Sequence, residues 1–176
     1  TYHGLQLLLG NVRLMETDTF RDEETNMERS TEKEVWQGLM LTCKVGHSFP
    51  VGLAVTPRGK VDGLLKYADV KTGNDEFDRR FTVKTDNPEA CLLTLTPQMQ
   101  SKILAAADAS AGAFFVTFCQ DGRVSMAVRT GHNFFLPKKG RTDAGAERER
   151  LRTNLRRMME IVDETNPIAP TQEKEA

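Results

Sequence analysis

Hydrophobic and polar residues alternate in two segments on either side of an Asp-Gly pair, and this pattern predicts a β-hairpin. The segments read "AFFVTFC" and "RVSMAV". Side chains two residues apart point to the same face of a strand, so the apolar positions form one face. Asp121-Gly122 is a favoured pair for a tight hairpin turn. We expect six residues to be buried on that face: Phe114, Val116, Phe118, Val124, Met126 and Val128.

The stretch "TDNPEACLLTLTP" contains two helix-start signals close together. Asp86 and Glu89 have the spacing of a capping box, and Pro88 is tolerated in a first helical turn. Pro97 pushes Thr96 out of helical geometry, which leaves Thr96 to cap a second helix over "PQMQSKILAAADA". The pattern favours a helix–kink–helix corner. A strand over "CLLTL" is the alternative.

Three further segments have the character of strands. The opening "GLQLLLGNVRLMET" contains Gly10-Asn11 as a turn or bulge, and "HSFPVGLAVTPRG" ends at a turn. "FDRRFTVKT" alternates, with Phe77, Phe81 and Val83 on one face. A strand that begins at Glu34 has these candidates for burial: Val35, Leu39, Leu41 and Cys43. Residues 17–34 are polar without a sustained period, and we interpret them as a solvated excursion.

The last periodic segment predicts an amphipathic helix over about residues 144–164. Leu151, Leu155, Met158 and Val162 fall on one helical stripe. We expect an α+β fold: a curved, mostly antiparallel sheet covered by the helical corner and the C-terminal helix. Residues 1–165 form the predicted single domain, and residues 166–176 a polar tail.

Charge is balanced overall but uneven along the chain. The formal net charge is −1, yet residues 16–34 carry eight acids and three bases, whereas residues 138–157 carry eight bases and three acids. The near-zero total and the lack of a recognisable module argue against nucleic-acid binding. The longest apolar runs fall short of the roughly 20 residues that span a bilayer.

The residues that commonly perform chemistry lack a recognisable arrangement. Cys43, Cys91 and Cys119 lie in apolar runs, so we expect free, buried thiols in a reducing compartment. Cys43 and His47 are two ligands at most, whereas a zinc site needs three or four. Phosphate-binding glycine motifs and the spacing of a calcium loop are absent from the sequence. We therefore predict no metal and no cofactor.

The arginine-rich helix is the feature most open to a binding role. Four basic residues flank its apolar stripe: Arg150, Arg152, Arg156 and Arg157. Basic side chains flank the buried stripe of many surface helices, which is the simplest interpretation. Beside an anionic lipid surface, each nearby basic residue adds on the order of 1 kcal/mol of attraction. These four are the candidate anionic-surface residues.

The order of four segments resembles one uncharacterised bacterial family. They are "VWQGLMLTCKVGHSF", "FDRRFTVKTDNPEACLLTLTP", "FFVTFCQDGRVSMAV" and "NLRRMMEIVDETN", which together cover nearly the whole chain. The resemblance implies a membrane-anchored protein with two N-terminal spans before a soluble domain of unknown function, often encoded near LemA-type membrane proteins. The segment "LLTLTP" is slightly longer in this chain than in the pattern of the family. The family has no established activity, so the resemblance implies no site residue.

Two functional hypotheses follow. The first is a non-catalytic binding or scaffolding domain that faces the cytoplasm from the cell membrane, with an anionic membrane surface or a membrane protein as its partner. The second is an enzyme whose site is assembled from scattered residues. Converging titratable groups in a concave site would favour the enzyme, and a flat or apolar groove would favour the binding domain.

Overall fold

The computed structural model describes residues 1–21, 27–59, 68–110, 112–136 and 143–165. The strands are β1 Leu7–Arg21, β2 Glu28–Lys44, β3 Leu53–Pro57, β4 Ala68–Val70, β5 Phe81–Thr85, β6 Ala113–Phe118 and β7 Arg123–Arg129. The helices are α1 Asp75–Arg80, α2 Pro88–Thr94, α3 Pro97–Ala109 and α4 Ala144–Thr165. The strands form one sheet in the order β1-β2-β7-β6-β3-β5-β4, and neighbouring strands pair antiparallel. The predicted α+β class is confirmed.

The β6–β7 hairpin forms as predicted. Gly122 takes a φ of 83°, the left-handed region that glycine adopts without strain, and its N–H donates to the Cys119 carbonyl. The side chain of Asp121 accepts a hydrogen bond from the Arg123 N–H at 3.1 Å. All six expected core residues are at most 2% exposed, which confirms the register.

The helix–kink–helix corner is also confirmed, with one correction. Asn87, not Asp86, caps α2, because the Asn87 side chain accepts from the Ala90 N–H at 3.1 Å. The hydroxyl of Thr96 caps α3 by accepting from the Met99 N–H. The strand alternative over "CLLTL" is not realised. Leu92 and Leu93 of α2 point outward and are exposed.

The segment "FDRRFTVKT" is part helix, part strand. Asn74 accepts a hydrogen bond from the Phe77 N–H and starts the short helix α1, so the strand begins only at Phe81. Asp75 and Glu76 lie in the first turn, where acidic side chains favour the helix dipole. Phe77, Phe81 and Val83 are all buried as expected, although only the last two belong to a strand.

Strands β1 and β2 extend beyond the rest of the sheet as a two-stranded arm. β7 pairs with β2 only from Gly38 to Lys44, whereas β1 continues to pair with β2 as far as Arg21 and Glu28. The described part of residues 17–34 is therefore strand rather than irregular excursion, although its side chains are exposed as predicted. Val35, expected to be buried, is exposed because it lies in this arm beside the register shift at Leu14/Met15.

The core lies on one face of the sheet. α4 and α3 contribute Met99, Ile103, Met158 and Ile161 to the same buried cluster as the inward residues of the central strands. At one end of the domain, the Tyr2 hydroxyl donates to Asp163 of α4 at 2.9 Å. Among the described residues, none of the helices has the length and hydrophobicity needed to cross a membrane. Residues 166–176, the predicted polar tail, lie outside the described residues.

Candidate interaction surfaces

Arg150 is built into the fold. Its Nε lies 2.8 Å from Glu147 Oε2, its Nη2 donates to the Phe134 carbonyl, and its guanidinium carbon is 4.6 Å from the centroid of the Phe134 ring. Only 16% of the Arg150 side chain and 11% of the Glu147 side chain are exposed. Arg150 therefore joins α4 to the loop after β7 and presents little charge to solvent.

Two of the other candidate arginines are paired along the helix. Arg152 contacts Glu149 at 3.2 Å and Arg157 contacts Glu160 at 2.8 Å. Pairs at this spacing are ordinary for an exposed helix and contribute little to stability. Over residues 144–165 the five arginines are matched by five acids, so α4 itself is neutral. The excess of bases that lies inside the helix before residue 158 is offset at its C-terminal end by Glu160, Asp163 and Glu164.

An exposed ridge of arginines nevertheless runs along α4. Arg148, Arg152 and Arg156 follow a four-residue spacing, which aligns them on one side of a helix. All three are exposed, and within the described part of the chain neither Arg148 nor Arg156 forms an ion pair. Arg150 and Arg157 lie on the other side of the apolar stripe. The structure therefore divides the four predicted residues between two surfaces, and Arg148 is the ridge member that the prediction omitted.

The histidines and cysteines do not converge. Cys43 is buried in the core whereas His47 is exposed and packs edge-on against Phe49. Burial raises the pKa of the Cys43 and Cys91 thiols, which keeps them protonated and unreactive. The three cysteines are free thiols, with Cys119 partly exposed. In the part of the chain that the structure describes, no three His, Cys, Asp or Glu side chains are placed to hold a metal ion.

The face of the sheet opposite the core carries a mixed apolar and hydroxyl surface. The outward positions of β2, β7 and β6 bring Met40, Ala127 and Phe115 side by side, because Met40 pairs with Ala127 and Ala127 with Phe115. The neighbouring row contains three hydroxyl groups: Thr42, Ser125 and Thr117. These six residues, which we call the open face, are partly exposed. The buried apolar residues of the described helices join the core on the opposite side.

Basic side chains border the open face at both ends. Lys44 pairs with Arg123 at one end of the β2–β7 ladder, and Gly38 pairs with Arg129 at the other. Lys44, Arg123 and Arg129 are all exposed. Arg123 contacts Asp121 at 3.1 Å, and Arg129 donates to the Val35 carbonyl. The surface combines an apolar centre with cationic ends, which suits an apolar segment flanked by acidic residues.

Sequence comparison places the chain in a family. A model of the family described as "Protein of unknown function (DUF3137)" matches residues 34–166, which is 133 of the 176 residues. The chain belongs to this family. The DUF3137 match begins within β2, so it includes the open face and α4 but not β1. No curated protein matches the chain in sequence.

Structural comparison found a similar solved structure. The chain is similar to the crystal structure of the mycobacterial trehalose monomycolate transport factor A, TtfA, with a TM-score of 0.48 and 11% sequence identity. The similarity covers 86% of this chain and 73% of that chain.

Proposed function

We propose that this chain is a non-catalytic binding domain of a bacterial membrane-anchored protein, and that it faces the cytoplasm. The anchor and the location come from the family resemblance described above. The observation that supports a binding role is the open face, an apolar and hydroxyl surface on the side of the sheet opposite the core. A partly exposed sheet face of this kind suits a protein segment, whereas a small substrate needs a concave site.

The partner's chemistry follows from the border of the open face. Met40, Ala127 and Phe115 supply apolar contact, and the cationic ends favour a segment with acidic residues on either side of its apolar centre. Opposite charges of this kind increase the association rate and align the partner. We therefore propose that the partner is a protein with such a segment, docked across β2, β7 and β6.

Co-purification of the full-length protein from membranes tests this proposal. Ala127→Glu places a carboxylate at the apolar centre, and we expect it to lower the recovered partner at least tenfold. Ser101→Glu adds the same charge at an exposed position on α3 and serves as the matched control. Equal loss, or equal retention, of partner in the two variants would contradict docking on the open face.

The arginine ridge supports a second role beside an anionic membrane. Each exposed basic residue near the surface adds on the order of 1 kcal/mol, and the attraction decays within about 8 Å at physiological salt. Binding by the domain alone is therefore weak and salt-sensitive, and an anchor is needed for it to matter. The residues proposed for this role are now Arg148, Arg152 and Arg156 rather than the four candidates predicted from the sequence. Arg150 is left out because its reversal would also break its contacts with Glu147 and Phe134.

Co-sedimentation with anionic vesicles tests the second role. We expect Arg148→Glu, Arg152→Glu and Arg156→Glu together to abolish binding at low salt. The control reverses three exposed bases elsewhere, namely Lys33, Lys71 and Arg79, and changes the net charge equally. If both triple variants sediment alike, the ridge is an ordinary solvated helix face.

A further inference from the structure

β1 is the edge strand of the sheet over its whole length. It stands first in the strand order, and its 15 residues pair only with β2 within the described part of the chain. The outer backbone N–H and C=O groups of such a strand are a template for another strand. At about 3.4 Å per residue, this edge is about 50 Å long. Long edges in soluble proteins are normally shortened, bent or covered.

The exposed apolar side chains of the molecule concentrate on this strand. Twelve large hydrophobic residues are exposed among the described residues, and five of them belong to β1: Leu8, Leu9, Leu14, Met15 and Phe20. The outer part of β1 also belongs to the arm, and a two-stranded ribbon without packing on either face is marginally stable in water. An edge of this length and composition indicates a surface that is covered in the assembled protein.

We propose that β1 of one copy pairs antiparallel with β1 of a second copy, which joins the two sheets into one continuous sheet. A two-fold axis perpendicular to the sheet keeps the helices of both copies on the same side. In this arrangement the two residues of each pair point to the same face of the joined sheet. Because side chains alternate between the faces along each strand, the numbers of the two paired residues must add up to an even total. Pairing along the full length of Leu7–Arg21 puts the axis at Leu14, where the numbers add to 28.

This register is self-complementary in apolar contacts. Leu14 lies opposite Leu14, and Leu8 lies opposite Phe20 on both sides of the axis. Leu8 pairs with Thr42 of the open face, and Gly10, two residues further along β1, pairs with Met40 of that face. Side chains two residues apart point to the same face of a strand, so Leu8, Leu14 and Phe20 all lie on the face opposite the core. Aliphatic and aromatic pairs directly across antiparallel strands each stabilise a sheet by about 0.2–1 kcal/mol. The pairing therefore covers three of the five exposed apolar side chains of β1.

The charges on β1 are compatible with the same register. Arg13 and Arg21 lie opposite Met15 and Leu7, whereas Glu16 and Asp18 lie opposite Val12 and Gly10. Like charges directly opposite each other would be destabilising, and none occur. A register centred on Glu16 would oppose two carboxylates, and one centred on Thr17 would oppose Arg13 to Arg21. A second copy therefore fits the edge best when the strands pair over their full length.

The self-opposition of Leu14 permits a register-specific experiment on the full chain. We expect analytical ultracentrifugation at micromolar concentration to show a dimer of twice 19.7 kDa. Leu14→Glu and Leu14→Lys each place two like charges face to face at the axis, so each variant should be monomeric. An equal mixture of the two should dimerise, because the opposed charges are then opposite in sign. Met27→Glu, at an exposed apolar residue outside β1, should leave the dimer intact.

Several results would overturn the proposal. They are a monomeric unmodified protein, dimers of either single Leu14 variant, or a mixture that stays monomeric. If this edge instead pairs with a strand of a different protein, this chain alone would be monomeric, and its sheet would gain a strand only when that protein is added. A second pair of changes checks the register independently. Leu8→Glu and Phe20→Lys in one chain should restore the dimer that Leu8→Glu alone disrupts, and failure to restore it would contradict pairing about Leu14.

Discussion

The Arg150 guanidinium stacks on the Phe134 ring, 4.6 Å from its centroid, while one of its N–H groups donates to the Phe134 carbonyl. Phe134 is fully buried, and its own N–H donates to the side chain of Asn11 in β1. Arg150 thus links α4, through one loop, to the edge strand of the sheet.

This link predicts a difference between arginines on the same helix. Arg150→Ala removes a partly buried ion pair, a cation–π contact and a charged hydrogen bond, and should lower the free energy of unfolding by about 2 kcal/mol. Arg152 is 67% exposed, so Arg152→Ala should change it by less than about 0.5 kcal/mol. Chemical denaturation measures both, and equal effects would show that Arg150 is not structural.

The hairpin core predicts a large cost for one truncation. Phe118 is 1% exposed and its ring lies edge-on to Phe49, with the centroids 5.3 Å apart. Phe118→Ala leaves a cavity and should lower the free energy of unfolding by about 3–5 kcal/mol. An unchanged thermal midpoint would mean that the residue does not pack in the core as described.

Two glycines of neighbouring strands should respond differently to alanine. A Cβ at Gly38 would fall 1.9 Å from the Val128 carbonyl oxygen, whereas a Cβ at Gly10 meets nothing within 4 Å. Gly38→Ala must displace β7 from β2 and should destabilise the fold by about 1–3 kcal/mol. Gly10→Ala should be neutral or stabilising by less than about 1 kcal/mol. A reversed order of melting midpoints would contradict the β2–β7 packing.

The thiols should differ in reactivity. Cys119 is partly exposed, while Cys43 and Cys91 are buried and burial raises their pKa values. We expect one thiol per chain to react with a thiol reagent at pH 8 in the folded protein and three after unfolding. Because the raised pKa values belong to the folded state, the stability they contribute is present below a pH of about 8.5 and is lost as the pH rises further. Rapid reaction of all three thiols in the folded protein would refute this placement.

Locally encoded elements could be predicted from the sequence. The Asp121-Gly122 turn and the caps before Pro88 and Pro97 depend on residues a few positions apart, so the hairpin and the corner were recognisable. α1 was missed because the alternation of Phe77, Phe81 and Val83 suggested a strand, although Asn74 followed by two acids was a helix-start signal.

Features made by distant residues could not be predicted. Both faces of the β1–β2 arm are exposed, so its sequence lacks the alternation of hydrophobic and polar residues that marks a strand. The arm becomes recognisable only from strand pairs in the structure, such as Phe20 with Arg29. The helical wheel put Arg150 beside the apolar stripe, and Glu147 three residues earlier was a visible partner. The other partner of Arg150, Phe134, lies 16 residues earlier in the chain and could not be recognised from the sequence. The open face appeared only when the order β2-β7-β6 brought three strands together.

The central claim is that the open face binds a protein with acidic flanks, and site-specific photocrosslinking in cells measures this most directly. A photoreactive amino acid at position Ala127 of the full-length protein should give a discrete protein adduct, and one at Ser101 should not. Reversing Lys44 and Arg123 to Glu should remove the adduct, because the partner's acidic residues would then be repelled. Adducts of equal yield from both positions, or an adduct that survives the charge reversal, would contradict the account.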